Sequence, residues 1–281
     1  MHAAVLGEGP PVVLVHGYGV SGAYMLPLAR LLAVSLSAYV PDLPGQGRSQ
    51  ELPGRRTLAD LADALGDWVG AAGLGRPAMV ANSMGCQIVT ALAASRPETV
   101  GPMVLVGPTV DPARRGARHQ LFSSLRDSAR EPLGLLALAA RDQAGVGPRA
   151  LLSTAREVLA DRLEDRLHLI EQPTIVVHGS EDGFVGRGWA ERVAGELPRG
   201  RLVVVPGEPH AVHYTRPELV AGIVRELVVE EGEHAGSELQ RRLEHRNVAA
   251  GEALEPRAGQ QPLPFLRQAG RHEAVALAPD E

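Results

Sequence analysis

The strongest constraint on this chain is a set of short, almost wholly apolar runs separated by longer amphipathic ones. Pro11–Val15, Ala38–Val40, Ala78–Ala81, Met103–Val106, Thr174–Val177 and Leu202–Val205 are β-branched or apolar throughout and are bounded by Gly, Pro or Asp. A half-exposed strand alternates apolar and polar residues, whereas a strand covered on both faces does not, so these runs read as the strands of a parallel sheet. Helical patterns lie between them, at about 22–34, 57–72, 84–95, 187–197 and 217–229. In the second, Thr57 with Asp60 three residues on reads as a capping box with Asp in place of Glu or Gln, and Leu58, Leu61, Ala62, Leu65, Trp68 and Val69 form one apolar stripe. Strand and helix in alternation predict an α/β fold, a mostly parallel open sheet of about six strands flanked by helices.

Two stretches break the alternation. Residues 111–169 contain no good strand and are rich in Arg, Leu and Ala at helical spacing, so they read as a helical insertion between two strands. Residues 231–281 are rich in Glu, Arg, Gly, Pro and Gln and poor in large apolar residues, which reads as a polar, mobile tail. The alternative for the tail is a docking helix carrying Leu239, Leu243 and Leu254. The expected organisation is a core of 1–110 and 170–230, a helical cap at 111–169 and a tail at 231–281.

Composition removes several chemistries. There is no Lys, so all 28 basic residues are Arg, and a phosphate loop with its Lys or a Schiff-base Lys is excluded. The single cysteine, Cys86, excludes an internal disulfide and any multi-Cys metal centre. A net charge of −5 leaves no electrostatic footprint for nucleic acid. No apolar run approaches the roughly 20 residues of a membrane span, and without a charged n-region followed by an apolar h-region no signal peptide is expected. The expected setting is cytoplasmic, with no cofactor and no metal; nothing in the sequence fixes an oligomeric state.

One motif carries chemistry. Ala78–Ala81 runs into Asn82-Ser83-Met84-Gly85-Cys86 and then a helix. A Ser on a sharp strand-to-helix turn, with small residues two before (Ala81) and two after (Gly85), projects its hydroxyl above the sheet edge. The N–H groups opening the next helix face developing negative charge. The competing reading makes Ser83 an ordinary helix N-cap.

Around this motif the chain resembles the α/β-hydrolase superfamily over about residues 5–230. Val12–Gly19 resembles the strand ending in a His-Gly oxyanion loop, and Pro41–Ser49 the Asp-x-x-Gly-x-Gly-x-Ser loop. Asn82–Gly85 resembles the nucleophile elbow, His178–Val185 the loop of the catalytic acid, and Gly207–Pro217 the loop of the catalytic His. The resemblance implies a triad of Ser83, Asp182 and His210, in the superfamily's chain order. It also implies an oxyanion hole from the backbone N–H groups of Tyr18 and Met84. Gly17, Asn82 and Leu135 are expected to touch substrate. It further implies a β-hairpin ahead of Pro11–Val15. Only about 11 residues stand there, so the hairpin is expected to be missing, the sheet being shortened or the chain's start lying inside a longer protein.

Other residues compete for these roles. Asp111 follows the run Met103–Val106, where some members of the superfamily place the acid. His16 and His178 read as structural, Asp42 as scaffold, and Cys86 as a small buried hydrophobe. His213 makes a His-x-x-His with His210, but no further ligand set stands at metal spacing. Leu133, Leu135, Leu136 and Leu138 line an acyl pocket or form the insertion's own core. Arg114, Arg115 and Arg118 hold a substrate carboxylate or form a solvated face.

The resemblance implies a serine hydrolase acting on a small carboxylic ester, a small-molecule acyl substrate. Lactone, thioester and perhydrolase chemistry share the same triad. Carbon–carbon bond hydrolases of ring-fission products share the Asn-Ser-Met-Gly elbow, but carry a Trp after the catalytic His where this chain has Ala211. Dehalogenases use an Asp nucleophile where this chain has Ser83. A non-catalytic binding protein on the same fold is the remaining class.

Overall fold

The computed structural model describes residues 1–52, 57–116 and 132–249. Its strands are β1 (Ala3–Leu6), β2 (Pro11–Val15), β3 (Ser37–Pro41), β4 (Ala78–Asn82), β5 (Met103–Val106), β6 (Thr174–Gly179) and β7 (Gly200–Val205). They form one sheet in the order β1-β3-β2-β4-β5-β6-β7. Every pairing is parallel except β1 with β3.

Successive residues of these strands serve opposite faces, which is why the runs lack polar alternation. Val13, Val15, Met79, Ala81, Met103 and Leu105 pack into one core. Val12, Leu14, Val80, Val104 and Val106 pack into the other. The first core is closed by α2 (Leu58–Ala71), α3 (Met84–Ser95) and α6 (Arg187–Glu196); the second by α1 (Leu26–Leu32) and the start of α8 (Pro217–Ala249). Leu65 and Leu92 are fully buried where α2 meets α3; truncating such a side chain to Ala costs about 2–5 kcal/mol. The capping box on α2 is present in both directions: Thr57 N–H donates to Asp60 Oδ2 (2.8 Å) and Asp60 N–H to Thr57 Oγ1 (3.1 Å).

The mostly parallel sheet has seven strands among the described residues, where about six were expected. The additional strand is Ala3–Leu6, an antiparallel edge strand outside β3, with Ala3 opposite Pro41 and Leu6 opposite Ala38. The last helix continues to Ala249, twenty residues past its expected end at 229; Glu, Arg, Leu and Ala in that stretch have high intrinsic helix propensity. Contacts group Met1–His234 into one unit and Ala235–Glu281 into another. Leu254 and the rest of 250–281 lie outside the described residues.

Within 111–169 the described residues form no strand. They hold a short 3₁₀ turn at Pro112–Arg114, helices α4 (Leu133–Val146) and α5 (Pro148–Ala160), and a 3₁₀ helix at Leu163–Leu169. Pro148 opens α5 after Gly147 at φ 81°, a helix break followed by Pro at a position where its missing N–H is harmless. A single turn, α7 (Val212–Thr215), follows the His210 loop.

Candidate active site

Ser83 is the one non-glycine residue with positive φ among those described, at φ 56° and ψ −122°. Such a conformation costs a residue with a Cβ of order 1–3 kcal/mol and persists only where its surroundings enforce it. They do so from both sides. Ser83 N–H donates to Val106 C=O on β5 (3.0 Å), and Cys86 N–H to Ser83 C=O (2.9 Å). A Cβ on Gly85 would stand 2.6 Å from Val15 C=O and 2.8 Å from His16 C=O, so β2 presses on the turn where only Gly fits. The Ser83 side chain makes no capping bond to α3, which separates this Ser from an ordinary N-cap. Cys86 is fully buried, its Sγ set against Ala81 C=O at 3.3 Å, and burial pushes its thiol pKa up.

The loop after β2 lies against the same turn. A Cβ on Gly17 would stand 3.2 Å from Ser83 Cβ and from Asn82 Oδ1. His16 braces this loop: Nε2 accepts from Leu43 N–H (3.0 Å) and Nδ1 donates to Gly17 C=O (2.9 Å), as a neutral ring whose pKa is lowered by burial. Met84 opens α3, where backbone N–H groups lack intrahelical acceptors. Tyr18 donates its hydroxyl to Leu151 C=O on α5 (2.9 Å).

Asp182 and His210 meet across the ends of β6 and β7. Asp182 Oδ2 accepts from His210 Nδ1 at 2.8 Å, while Oδ1 accepts from Phe184 N–H (2.8 Å) and Val185 N–H (2.9 Å). Both side chains are buried. With Nδ1–H donating to the carboxylate, Nε2 is the ring nitrogen that carries the acceptor lone pair. Two glycines make room. Gly107, at φ 56°, would place a Cβ 2.8 Å from His210 Nδ1; Gly179 would place one 2.3 Å from the carbonyls of Glu208 and Pro209. Asn82 Nδ2 donates to Val106 C=O (3.1 Å) and reaches His210 C=O (3.5 Å), tying the His loop to β4. The Phe184 ring tilts over His210 at 4.9 Å.

Asp111, the competing acid, is otherwise engaged. Its carboxylate accepts from Ala113 N–H (2.9 Å) and Gly186 N–H (3.2 Å), bracing the loop that carries Asp182. Asp42 accepts from Gly22 N–H and Arg48 N–H, each at 2.8 Å, as scaffold. His178 is buried in β6. His213 is fully buried with both ring nitrogens lacking a hydrogen-bond partner, edge-on to Tyr24 at 4.5 Å. Arg114 bonds Gly183 C=O (3.1 Å) and Arg115 pairs with Glu164 (3.3 Å), so both hold loops together; Arg118 lies outside the described residues.

A cavity of about 330 Å³ joins these groups. Ser83, Asn82, His210, Gly17 and Tyr18 line its base, and Leu135, Leu136 and Ala139 of α4 with Ala155, Val158 and Leu159 of α5 line its apolar side. Leu135 is in the cavity wall, whereas Leu133 is 84% exposed and Leu138 packs against the core on the α1 side of the sheet. A larger cavity of about 510 Å³, with His2, Asp42, Arg48, Arg141 and Asp142 among its lining residues, shares none of its lining with the Ser83 cavity. Sequence reasoning missed Gly107 and Gly179, whose need for glycine arises only when β5, β6 and the His210 loop come together. Among the described residues no helix is long and apolar enough to cross a membrane.

A model of the alpha/beta hydrolase family matches residues 12–223. The chain belongs to that family. This alpha/beta hydrolase is 25% identical over 245 residues to a pimeloyl-[acyl-carrier protein] methyl ester esterase of Nitrosomonas europaea, covering 78% of this chain and 95% of that enzyme. It is 27% identical over 241 residues to a putative carbamate hydrolase, RutD, of Caulobacter vibrioides, covering 78% and 90%. In fold it is similar to a thermophilic esterase from Thermogutta terrifontis, with a TM-score of 0.71 at 22% identity, over 82% of this chain and 93% of that one.

Proposed function

We propose that this alpha/beta hydrolase cleaves a small carboxylic ester through an acyl-enzyme on Ser83. The observation that carries the reading is a strained Ser83 lining one cavity with a His210 whose Nδ1 is held at 2.8 Å by Asp182. A serine hydroxyl is a weak nucleophile near neutral pH and needs an adjacent base. His210 Nε2 takes the Ser83 proton as Oγ adds to the carbonyl carbon. The negative charge on the former carbonyl oxygen is met by the N–H groups of Met84 and Tyr18, which need no reorganisation to receive it. Asp182 stabilises the imidazolium. As the tetrahedral adduct collapses, the bond to the alcohol oxygen breaks and His210 returns the proton to it. Water, deprotonated by His210, then adds to the acyl-enzyme, and collapse frees the acid and restores Ser83. No metal or cofactor enters any step.

The helices of 111–169 act in this reading as a cap: Leu135, Leu136, Val158 and Leu159 offer an apolar surface to the acyl chain and exclude water from the oxyanion. The names of the curated relatives, an ester hydrolase and a carbamate hydrolase, support acyl transfer as the reaction class.

Intact-mass labelling with a fluorophosphonate tests the reading. A single adduct that is absent in Ser83→Ala, with turnover on a panel of simple esters, is the expected result. A folded protein that takes no label and hydrolyses none of the panel overturns it and leaves the site to a binding role.

A further inference from the structure

The α5 helix supplies one wall of the Ser83 cavity, and the end of that helix carries a polar cluster that acyl transfer does not use. Arg166 grips Asp161, the residue that closes α5, with two parallel bonds: Nη1 to Oδ1 and Nη2 to Oδ2, both 2.8 Å. The two side chains are only 16% and 15% exposed. The same guanidinium donates from Nε to Thr90 Oγ1 (3.1 Å) and from Nη2 to Gln87 C=O (2.9 Å), both on α3. Gln87 is fully buried, and its Nε2 donates to Val158 C=O (3.0 Å) and to Asp161 Oδ2 (3.0 Å). Bidentate Arg–carboxylate pairs are directional, and a network of this kind, away from water, fixes geometry as well as adding stability.

The connections have a consequence for the cavity. Val158 and Leu159 line it, and Val158 is held by its own carbonyl to a side chain four residues along from Ser83, on the helix that follows Ser83. The wall is therefore referenced to the nucleophile's own helix. Gln87 Oε1 is buried without a hydrogen-bond partner. A Met or Leu would fill this position without an unpaired amide oxygen of its own, so what the position uses is the amide donor.

We infer that Gln87, Asp161 and Arg166 are specificity-determining positioning residues: they lock Val158 and Leu159 in place and so limit the length of acyl chain that reaches Ser83. The inference rests on the ester-hydrolase reading above. A volume of about 330 Å³ lies at the small end of the roughly 300–1,000 Å³ of ligand pockets, so a shift of one wall residue changes which chains fit.

The test is kcat/KM across p-nitrophenyl esters from acetate to dodecanoate, for the wild type, Gln87→Met and Val158→Phe, with thermal unfolding of each. Gln87→Met keeps the volume and removes the donor. We expect acetate turnover to stay at the wild-type level while the decanoate-to-butyrate ratio rises about fivefold, the change that loss of one net hydrogen bond of ~1 kcal/mol allows. Val158→Phe fills the wall and moves the cut-off to shorter chains. A wild-type chain-length profile in folded Gln87→Met overturns the inference. Should Gln87→Met fail to fold, an unshifted cut-off in Val158→Phe overturns it equally. A wild type that neither takes the fluorophosphonate nor hydrolyses any ester overturns the ester-hydrolase reading instead, a result distinct from both.

Discussion

Asp182 reaches His210 Nδ1 with one carboxylate oxygen at 2.8 Å while the other is held by the N–H groups of Phe184 and Val185. The carboxylate is thus fixed before the imidazole meets it, and the ring is presented in one tautomer. Asp182→Asn keeps the shape but removes the charge and can impose the wrong tautomer on His210. Ester turnover is expected to fall by about 10⁴, with far-UV circular dichroism unchanged. A loss below tenfold would assign the acid elsewhere, and Asp111→Asn would then be measured beside it.

Gly107 bears on the same pair. Its φ of 56° and the 2.8 Å from a would-be Cβ to His210 Nδ1 leave no room for a side chain. Gly107→Ala is expected to push the imidazole aside and lower kcat by about 10²-fold, the usual cost of misplacing a catalytic group by about 1 Å. The rate of fluorophosphonate labelling is expected to fall in parallel, because in the proposed mechanism both reactions use His210 as the base for Ser83.

Stability is expected to decline on the acid side of neutrality. Burial lowers the pKa of His213 to about 3, and burial lowers those of His16 and His178 as well. In the unfolded chain each titrates near 6.5. Between those values the unfolded state takes up protons that the folded state refuses, so unfolding free energy drops as pH drops. For His213 alone the loss at pH 5 is about 2 kcal/mol, from 1.5 pH units at 1.36 kcal/mol each. His213→Leu is expected to flatten that part of the curve. Thermal midpoints at pH 7 and pH 5 check it: the wild type loses more than the variant.

The capping box gives a prediction about the fold alone. Thr57 and Asp60 exchange bonds at the start of α2, and Thr57→Ala removes one acceptor from the helix N-terminus. A cost of about 1 kcal/mol is expected, read from urea unfolding, with ester turnover unaffected because neither residue lines the Ser83 cavity.

The parts legible in the sequence were those whose signal is local. The six runs betray themselves by lacking polar alternation, even Leu202–Val205 on the half-buried edge strand β7, and the elbow at Ser83 by small residues two before and two after it. The Thr57 box needs only a four-residue window. Asp182 and His210 are 28 residues apart, and only the resemblance to a family with a fixed Ser, acid, His order paired them; composition and spacing did not. The strand Ala3–Leu6 was missed because it is a four-residue edge strand, largely half-exposed, whose partner β3 lies more than 30 residues on. Strand character there comes from pairing rather than from pattern. Gln87 reads as an ordinary polar residue of a helix, since its ties to Val158 and Asp161 cross more than 70 residues of chain.

The strain at Ser83 sets activity against stability. At φ 56° and ψ −122° any residue with a Cβ is disfavoured, and Gly is the exception. Ser83→Ala removes the hydroxyl and keeps the strain. Ser83→Gly removes both, at the cost of greater freedom in the unfolded chain, worth about 0.4–1 kcal/mol. Relief of a strain of order 1–3 kcal/mol exceeds that cost. Ser83→Gly is therefore expected to be more stable than Ser83→Ala by about 1 kcal/mol while being equally unable to take the fluorophosphonate. Urea unfolding of the two variants decides it. A glycine variant less stable than the alanine one would mean that the turn holds Ser83 without strain, and that the bonds to Val106 and from Cys86 are not what keeps the hydroxyl raised.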